Sequence, residues 1–95
     1  MKYLDLKKDA LDTTKFYLAY KRQSMGHSDL CIVQYGGKID KQMRVCFSVL
    51  SDYTSSPHSV LGGFMIGVET LALGHWQFYE LDDDEVAIHV IASKI

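Results

Sequence analysis

The carboxy-terminal third of the sequence restricts the fold most, because apolar residues there occupy both sides of a predicted hairpin. Two strand-like segments, His75–Leu81 and Val86–Ala92, flank the acidic tetrapeptide Asp82–Glu85, which predicts a hairpin closed by a four-residue loop. Successive side chains of a strand point to opposite faces of the sheet. One face would carry Gln77, Tyr79, Leu81, Val86, Ile88 and Val90, and the other Trp76, Phe78, Glu80, Ala87, His89 and Ile91.

Both faces of this predicted hairpin are substantially apolar, whereas a hairpin with one wet side alternates apolar and polar residues. We therefore expect the hairpin to be covered on both sides. A helix can cover one side, and a second copy of the chain is the simplest cover for the other. The pattern thus predicts a homodimer.

The principal helix is predicted over residues 57–73. Ser56 can cap it, Pro57 suits the first helical position, and Gly74 is a typical helix end. Apolar residues recur between these signals at helical spacing. Three glycines inside the segment each disfavour a helix by about 1 kcal/mol relative to Ala, so a strand over Phe64–Val68 is an open alternative.

The segments before this helix predict further short elements. Leu4–Leu11 is typical of a short helix, with Asp5 as a candidate N-cap. Residues 13–22 are rich in β-branched and aromatic side chains that alternate, which predicts a strand. A single longer helix is the alternative for residues 13–22, because leucines recur every seven positions from Leu4.

A central hairpin is predicted from Leu30–Tyr35 and Gln42–Leu50, joined through a Gly-Gly segment. Two registers put their apolar faces on the same side of the sheet. A tight turn at the glycine pair would place Cys31 opposite Gln42, and a four-residue loop would place Cys31 opposite Cys46. The sequence leaves the choice between them open.

Together these elements predict an α+β fold: an antiparallel sheet built mainly of two hairpins, with the helix at 57–73 packed on one face. The 95 residues fit one small globular domain, 1–95, and 47% of them are apolar. The first residues lack the apolar stretch of a signal peptide, and the two cysteines have no disulfide-scaffold spacing. We therefore expect a cytoplasmic protein that does not bind membranes.

Charge is distributed unevenly along the chain. Residues 1–48 carry nine Lys or Arg and five Asp or Glu, whereas residues 49–95 carry one and seven. The simplest interpretation is two solvated faces of one domain, and the alternative is complementarity with a second copy or a charged partner. The net charge of −2 argues against a nucleic-acid binder, which needs clustered basic surface.

Catalytic and metal-binding motifs are not recognisable in the sequence. The four histidines have no metal-ligand spacing, so neither a metal nor another cofactor is predicted. The one candidate for chemistry is proton transfer by His89 and Glu80, because an imidazole beside a carboxylate can accept a proton near neutral pH.

The leading functional hypothesis is a small non-catalytic binding or interaction protein that acts as a homo-oligomer. It would bind a small apolar ligand or a protein partner through an apolar sheet face or an aromatic pocket formed by Trp76, Phe78 and His89. The alternative is a small enzyme or ligand-processing domain that uses the His89–Glu80 pair. A third hypothesis is an inhibitor-like protein that docks a basic partner through Asp82, Asp83, Asp84 and Glu85.

Overall fold

The computed structural model describes residues 1–22, 28–52 and 63–87. Within these ranges the chain forms a six-stranded antiparallel sheet and two short helices, which agrees with the α+β class. The strands are β1 (Lys2–Leu4), β2 (Phe16–Arg22), β3 (Ser28–Ile39), β4 (Arg44–Asp52), β5 (Gly63–Gly67) and β6 (Gln77–Leu81). Helix α1 spans Val68–Ala72, and helix α2 includes residues 83–87. The strand order is β1-β6-β2-β3-β4-β5, so β1 and β5 are the edges.

The sheet has buried apolar side chains on both faces. On one side, which we call the aromatic face, the buried residues are Leu4, Tyr17, Ala19, Cys31, Val33, Val45, Phe47, Ile66, Trp76 and Phe78. On the other side, which we call the aliphatic face, they are Leu18, Ile32 and Leu81. Alternation along each strand produces this division, because neighbouring residues of a strand point to opposite faces.

Strand β6 is present where the sequence predicts it, but its predicted hairpin partner is wrong. Residues 83–87 are helical, and β6 pairs with β1 and β2 instead. Acidic side chains at Asp82–Glu85 suit the first turn of a helix, because the helix dipole favours negative charge there. The rest of the predicted second strand, 88–92, lies outside the described residues.

The two-sided burial predicted for this strand is nevertheless found. Phe78 is 0% exposed on the aromatic face, and Leu81 is 4% exposed on the aliphatic face. Val86 of α2 packs against the aliphatic cluster, and β1 and β2 flank the strand on either side. Contacts within one chain therefore bury β6, so its pattern no longer argues for a second subunit.

The predicted helix over 57–73 is wrong for residues 63–67, which form β5, and α1 is confined to Val68–Ala72. The strand alternative for this segment was the better prediction. Gly63 lies so close to β4 that an added Cβ would be 2.8 Å from the Phe47 carbonyl oxygen. The absence of a side chain at Gly63 therefore allows β5 to pair closely with β4. Residues 57–62 lie outside the described residues.

Both predicted registers of the central hairpin are wrong. Strand β3 continues through the glycine pair to Ile39, and the turn begins at Asp40. The Asp40 carboxylate accepts hydrogen bonds from the backbone N–H groups of Gln42 and Arg44, both at 2.9 Å, and from the Arg44 guanidinium at 2.8 Å. These bonds stabilise a turn four residues later than the glycines predicted.

The cysteines consequently lie far from each other in the pairing scheme. Cys31 is opposite Asp52, and two register irregularities interrupt the β3–β4 ladder. Cys31 belongs to the aromatic face, whereas Cys46 alternates with Val45 and Phe47 and so lies on the aliphatic side. The two thiols are therefore on opposite faces of the sheet.

The amino-terminal predictions are half right. Strand β2 confirms the extended interpretation for residues 16–22 but not for residues 13–15, which form a turn, and the longer helix is excluded. The short helix predicted over Leu4–Leu11 is wrong, because Leu4 ends β1 and only one turn follows it, closed by bonds to the Asp5 carbonyl.

A pair of glycine substitutions tests the packing of β5. Gly63→Ala should destabilise the protein by about 1–3 kcal/mol, because the new Cβ meets the Phe47 carbonyl. Gly67→Ala is the matched control: its Cβ would lie 3.6 Å from the Thr70 hydroxyl, so we expect a change within about 0.5–1 kcal/mol. Urea unfolding measures both, and equal effects would contradict the close β4–β5 approach.

Candidate functional site

An apolar cleft lies on the aromatic face, between the segment after β1 and helix α1. Its volume is about 320 Å³. The lining residues are Leu6, Asp9, Ala10 and Leu11 of the first segment, Tyr35 and Val45 of the sheet, and Val68 and Leu71 of α1. Asp9 is the one charged side chain among these residues. We call this site the apolar cleft.

Hydrogen bonds within residues 5–9 give the first wall of the cleft its shape. The Asp5 carbonyl oxygen accepts bonds from the backbone N–H groups of Lys8, at 2.9 Å, and Asp9, at 2.6 Å. The Asp9 carboxylate accepts a bond from the Asp5 N–H at 3.1 Å. These bonds close one turn, so Leu6 packs against the aromatic face while the polar groups of the turn bond to one another.

Tyr17 anchors the end of this wall to the sheet. Its ring is buried on the aromatic face, and its hydroxyl oxygen accepts a hydrogen bond from the Asp12 N–H at 2.8 Å. Burial raises the pKa of Tyr17, so its hydroxyl stays neutral at physiological pH. The Asp12 carboxylate accepts bonds from the N–H and hydroxyl of Thr14, which lower the pKa of Asp12.

Helix α1 forms the second wall and is fixed at both ends by the backbone. The Val68 N–H donates to the Met43 carbonyl at 3.0 Å, which ties the start of α1 to the β3–β4 turn. At the other end, the Gly74 N–H donates to the Leu71 carbonyl at 3.1 Å. Gly74 has a φ of +74°, a left-handed conformation that glycine adopts without strain and that leads the chain into β6. Val68 and Leu71 therefore face the sheet.

The predicted ligand-binding aromatics belong mainly to the core. Phe78 is stacked between Phe47 and Trp76, with ring centroids 5.2 Å and 6.3 Å away. Trp76 borders a small depression of about 60 Å³ beside Leu6 and Leu71, next to the apolar cleft. Phe78 lines neither, so the structure assigns it to packing. His89 lies outside the described residues.

Glu80 is engaged in an ion pair. Its carboxylate is 3.4 Å from the Lys15 ammonium, and its side chain is 27% exposed. Neither the apolar cleft nor the depression at Trp76 includes Glu80. Because the position of His89 is not described, proton transfer by this pair stays a prediction.

The acidic residues predicted to bind a partner lie at the start of α2. Asp82, Asp83 and Asp84 are exposed. Glu85 instead contacts the Met1 amino group at 2.7 Å. This contact lowers the pKa of Glu85 and raises that of the amino group. Docking of a basic partner at this site stays a prediction, with Asp82–Asp84 as its accessible part.

Sequence reasoning missed most of the apolar cleft. Leu6 and Leu11 fall in a segment without strand periodicity, and Tyr35 was assigned to a strand without a function. Val45 had a signal, because it lies two residues before Phe47 on the face that the pattern of β4 marks as apolar. Val68 and Leu71 had one too, because they lie among the apolar residues at helical spacing that predict the helix over 57–73. Among the described residues, no group of three or more His, Cys, Asp or Glu side chains could hold a metal ion.

Comparison with known proteins does not add a functional assignment. No protein-family model matches the sequence, and neither a curated protein nor a solved structure matches it significantly. Across residues 1–22, 28–52 and 63–87, no helix has the length and apolar character needed to cross a membrane.

Removing one hydroxyl tests how the wall of the cleft is held. Tyr17→Phe should destabilise the protein by about 1 kcal/mol, the typical worth of one hydrogen bond, and should shift the amide resonances of residues 6–12. Tyr3→Phe is the matched control, because that side chain is 56% exposed. Chemical denaturation and two-dimensional NMR report both effects. Unchanged resonances at residues 6–12 would contradict the anchoring role.

Proposed function

We propose that this protein is a non-catalytic binding protein that holds a compact apolar molecule in the apolar cleft. The observation that carries the proposal is the convergence of apolar side chains from three separate elements on one concave site of about 320 Å³. Small-molecule sites typically measure roughly 300–1,000 Å³ and are lined mainly by apolar groups. The cleft therefore fits the lower end of that range.

The dimensions of the cleft limit the ligand to a small one. A buried apolar cavity on the order of 150 Å³ can hold benzene, so an open cleft of about 320 Å³ accommodates one or two fused rings. Asp9 lies at the wall, and its carboxylate already accepts the Asp5 N–H. This carboxylate disfavours an anionic ligand, because it would repel a bound anion.

The construction of the walls also supports a binding role. The Tyr17–Asp12 bond fixes one wall, and the Val68–Met43 bond fixes the other. Hydrogen bonds of the backbone and of the buried Tyr17 thus help to set the width of the cleft. A preformed site of this kind loses little conformational entropy when a ligand binds.

Titration with indole, an uncharged two-ring molecule, tests this proposal. In two-dimensional proton–carbon NMR spectra, indole should cause saturable shifts of the methyl resonances of Leu6, Leu11, Val45, Val68 and Leu71. Val68→Phe places a larger side chain in the cleft and leaves less room for the ligand. It should weaken indole binding about tenfold, an effect of about 1.4 kcal/mol.

Leu73→Phe is the control, because Leu73 directly follows α1, is 71% exposed and does not line the cleft. It should bind indole like the parent protein. The proposal fails if indole shifts no cleft methyl group, or if both variants bind it equally.

We further propose that the homo-oligomer forms at the outer edge of β5. The Val68–Met43 hydrogen bond continues the β4–β5 ladder. Positions that bond to the neighbouring strand alternate with positions that do not, so Ile66, two residues before Val68, also bonds to β4. The backbone groups of Gly63, Met65 and Gly67 therefore point away from β4. Among the described residues, no strand pairs with this edge.

Exposed apolar side chains beside this edge support a second copy as its partner. Met65 is 47% exposed on β5, and Leu50 is 48% exposed on β4. Two identical edges can pair antiparallel about a two-fold axis, each supplying the same groups to the other. Pairing would cover both the free backbone groups and Met65.

Light scattering at several protein concentrations tests the assembly. The parent chain should show twice the mass of 10.8 kDa, and Met65→Lys should shift it to the monomer, because an edge lysine opposes strand addition. Met43→Lys, in the β3–β4 turn and 60% exposed, should remain dimeric. A monomeric parent chain at all concentrations would refute the proposed assembly.

A further inference from the structure

A second, polar cleft lies on the opposite side of the sheet from the apolar cleft. It has a volume of about 290 Å³, and its described lining residues are Tyr20, Arg22, Gly74, His75 and Gln77. Tyr20 lies two residues after Leu18, and Gln77 lies two residues before Tyr79, so both point to the aliphatic face. We call this site the donor cleft, because all four side chains can donate a hydrogen bond.

Strand pairing brings these donors together. Tyr20 and Gln77 are direct partners in the β2–β6 ladder. Arg22 ends β2 two residues beyond Tyr20 on the same face, and His75 enters the site from the turn that Gly74 allows. Residues distant in sequence thus meet at one end of the sheet.

The polarity of the site favours a negatively charged ligand. None of its described lining residues is acidic, and Arg22 makes no ion pair with a carboxylate in the described part of the chain. The Gln77 carbonyl oxygen accepts the Tyr79 hydroxyl at 3.5 Å, which leaves the amide N–H₂ group of Gln77 to donate. A guanidinium and an amide together suit an oxyanion.

The second cation at the end of β2, Lys21, lies outside the donor cleft. The Lys21 ammonium lies 5.7 Å from the centre of the Trp76 ring, on the aromatic face. Lys21 therefore does not line the donor cleft, and Arg22 is the one cation among its described lining residues.

We propose that the donor cleft binds the oxyanion group of a small ligand, either a phosphoryl group or a carboxylate. This site is independent of the apolar cleft, since the two lie on opposite faces. Tyr20, Arg22, His75 and Gln77 supply the hydrogen bonds, and Arg22 supplies the charge. Because the site is open to water, affinity for a free inorganic ion is expected on the order of 1 mM.

Nitrogen-15 NMR titrations at constant ionic strength test the site with inorganic phosphate, acetate and chloride as separate probes. Phosphate or acetate should give saturable shifts at the amides of Tyr20, Arg22, His75 and Gln77, whereas chloride should not. Preference for phosphate identifies a phosphoryl ligand, and preference for acetate identifies a carboxylate. Shifts that do not saturate, or that appear equally at all surface lysines, overturn the proposal.

Variants then separate the cleft from general surface charge. Arg22→Gln should weaken binding about tenfold or more through loss of a charge-assisted hydrogen bond, and Tyr20→Phe should weaken it by a smaller factor. Lys41→Gln, an exposed position in the β3–β4 turn, removes the same charge elsewhere and should leave binding unchanged. Val68→Phe should also bind the oxyanion normally, even if indole binding at the apolar cleft fails. Equal affinities for Arg22→Gln and Lys41→Gln refute the site.

Discussion

Burial of β6 on both faces is the constraint on which the rest of the structure depends. Phe78 is stacked between Phe47 and Trp76 on the aromatic face, and Leu81 joins Leu18 and Ile32 on the aliphatic face. A strand with two apolar faces is stable only in the interior of a sheet with cover on both sides. It therefore lies between β1 and β2, and sequentially distant parts of the chain meet around it.

This arrangement also explains where the two clefts occur. The aromatic face is covered by two separate pieces, the segment after β1 and α1, and their separation leaves the apolar cleft between them. The donor cleft arises at the end of the β2–β6 ladder, where aliphatic side chains give way to Tyr20, Arg22 and Gln77. One surface thus suits an apolar body and the other a charged group, with the core of the sheet between them.

Much of the extended structure could be predicted from the sequence, whereas pairing could not. Alternation identified β2, β6 and the apolar face of β4 at Val45 and Phe47. The central register was wrong because Asp40 closes a better-bonded turn than the glycine pair, and because irregularities in the β3–β4 ladder change the pairing. Apolar spacing at 63–67 suited a helix and a strand alike, and the contact of Gly63 with β4 favoured the strand.

The candidate sites were less predictable than the fold. Trp76 and Phe78 were expected to bind ligand because large aromatics often do, yet complementary rings within the chain bury Phe78 completely. Nothing in the sequence around Leu6, Leu11 or Tyr35 marks them as cleft residues. A cleft wall needs only an apolar side chain in the right position, and that position is set by the fold. Arg22 and His75 are 53 positions apart, and nothing in either neighbourhood marks them as a pair.

By itself, the sequence determined that residues 16–22 and 77–81 are extended and that the strand Gln77–Leu81 must be buried on both sides, because alternation is a local property of the backbone. Only the tertiary structure decided which strands pair, and with that the positions of both clefts. The physical reason is that backbone hydrogen bonds are alike for every candidate partner. Packing of side chains such as Phe47 on Phe78 selects among them, and such packing exists only once distant segments have come together.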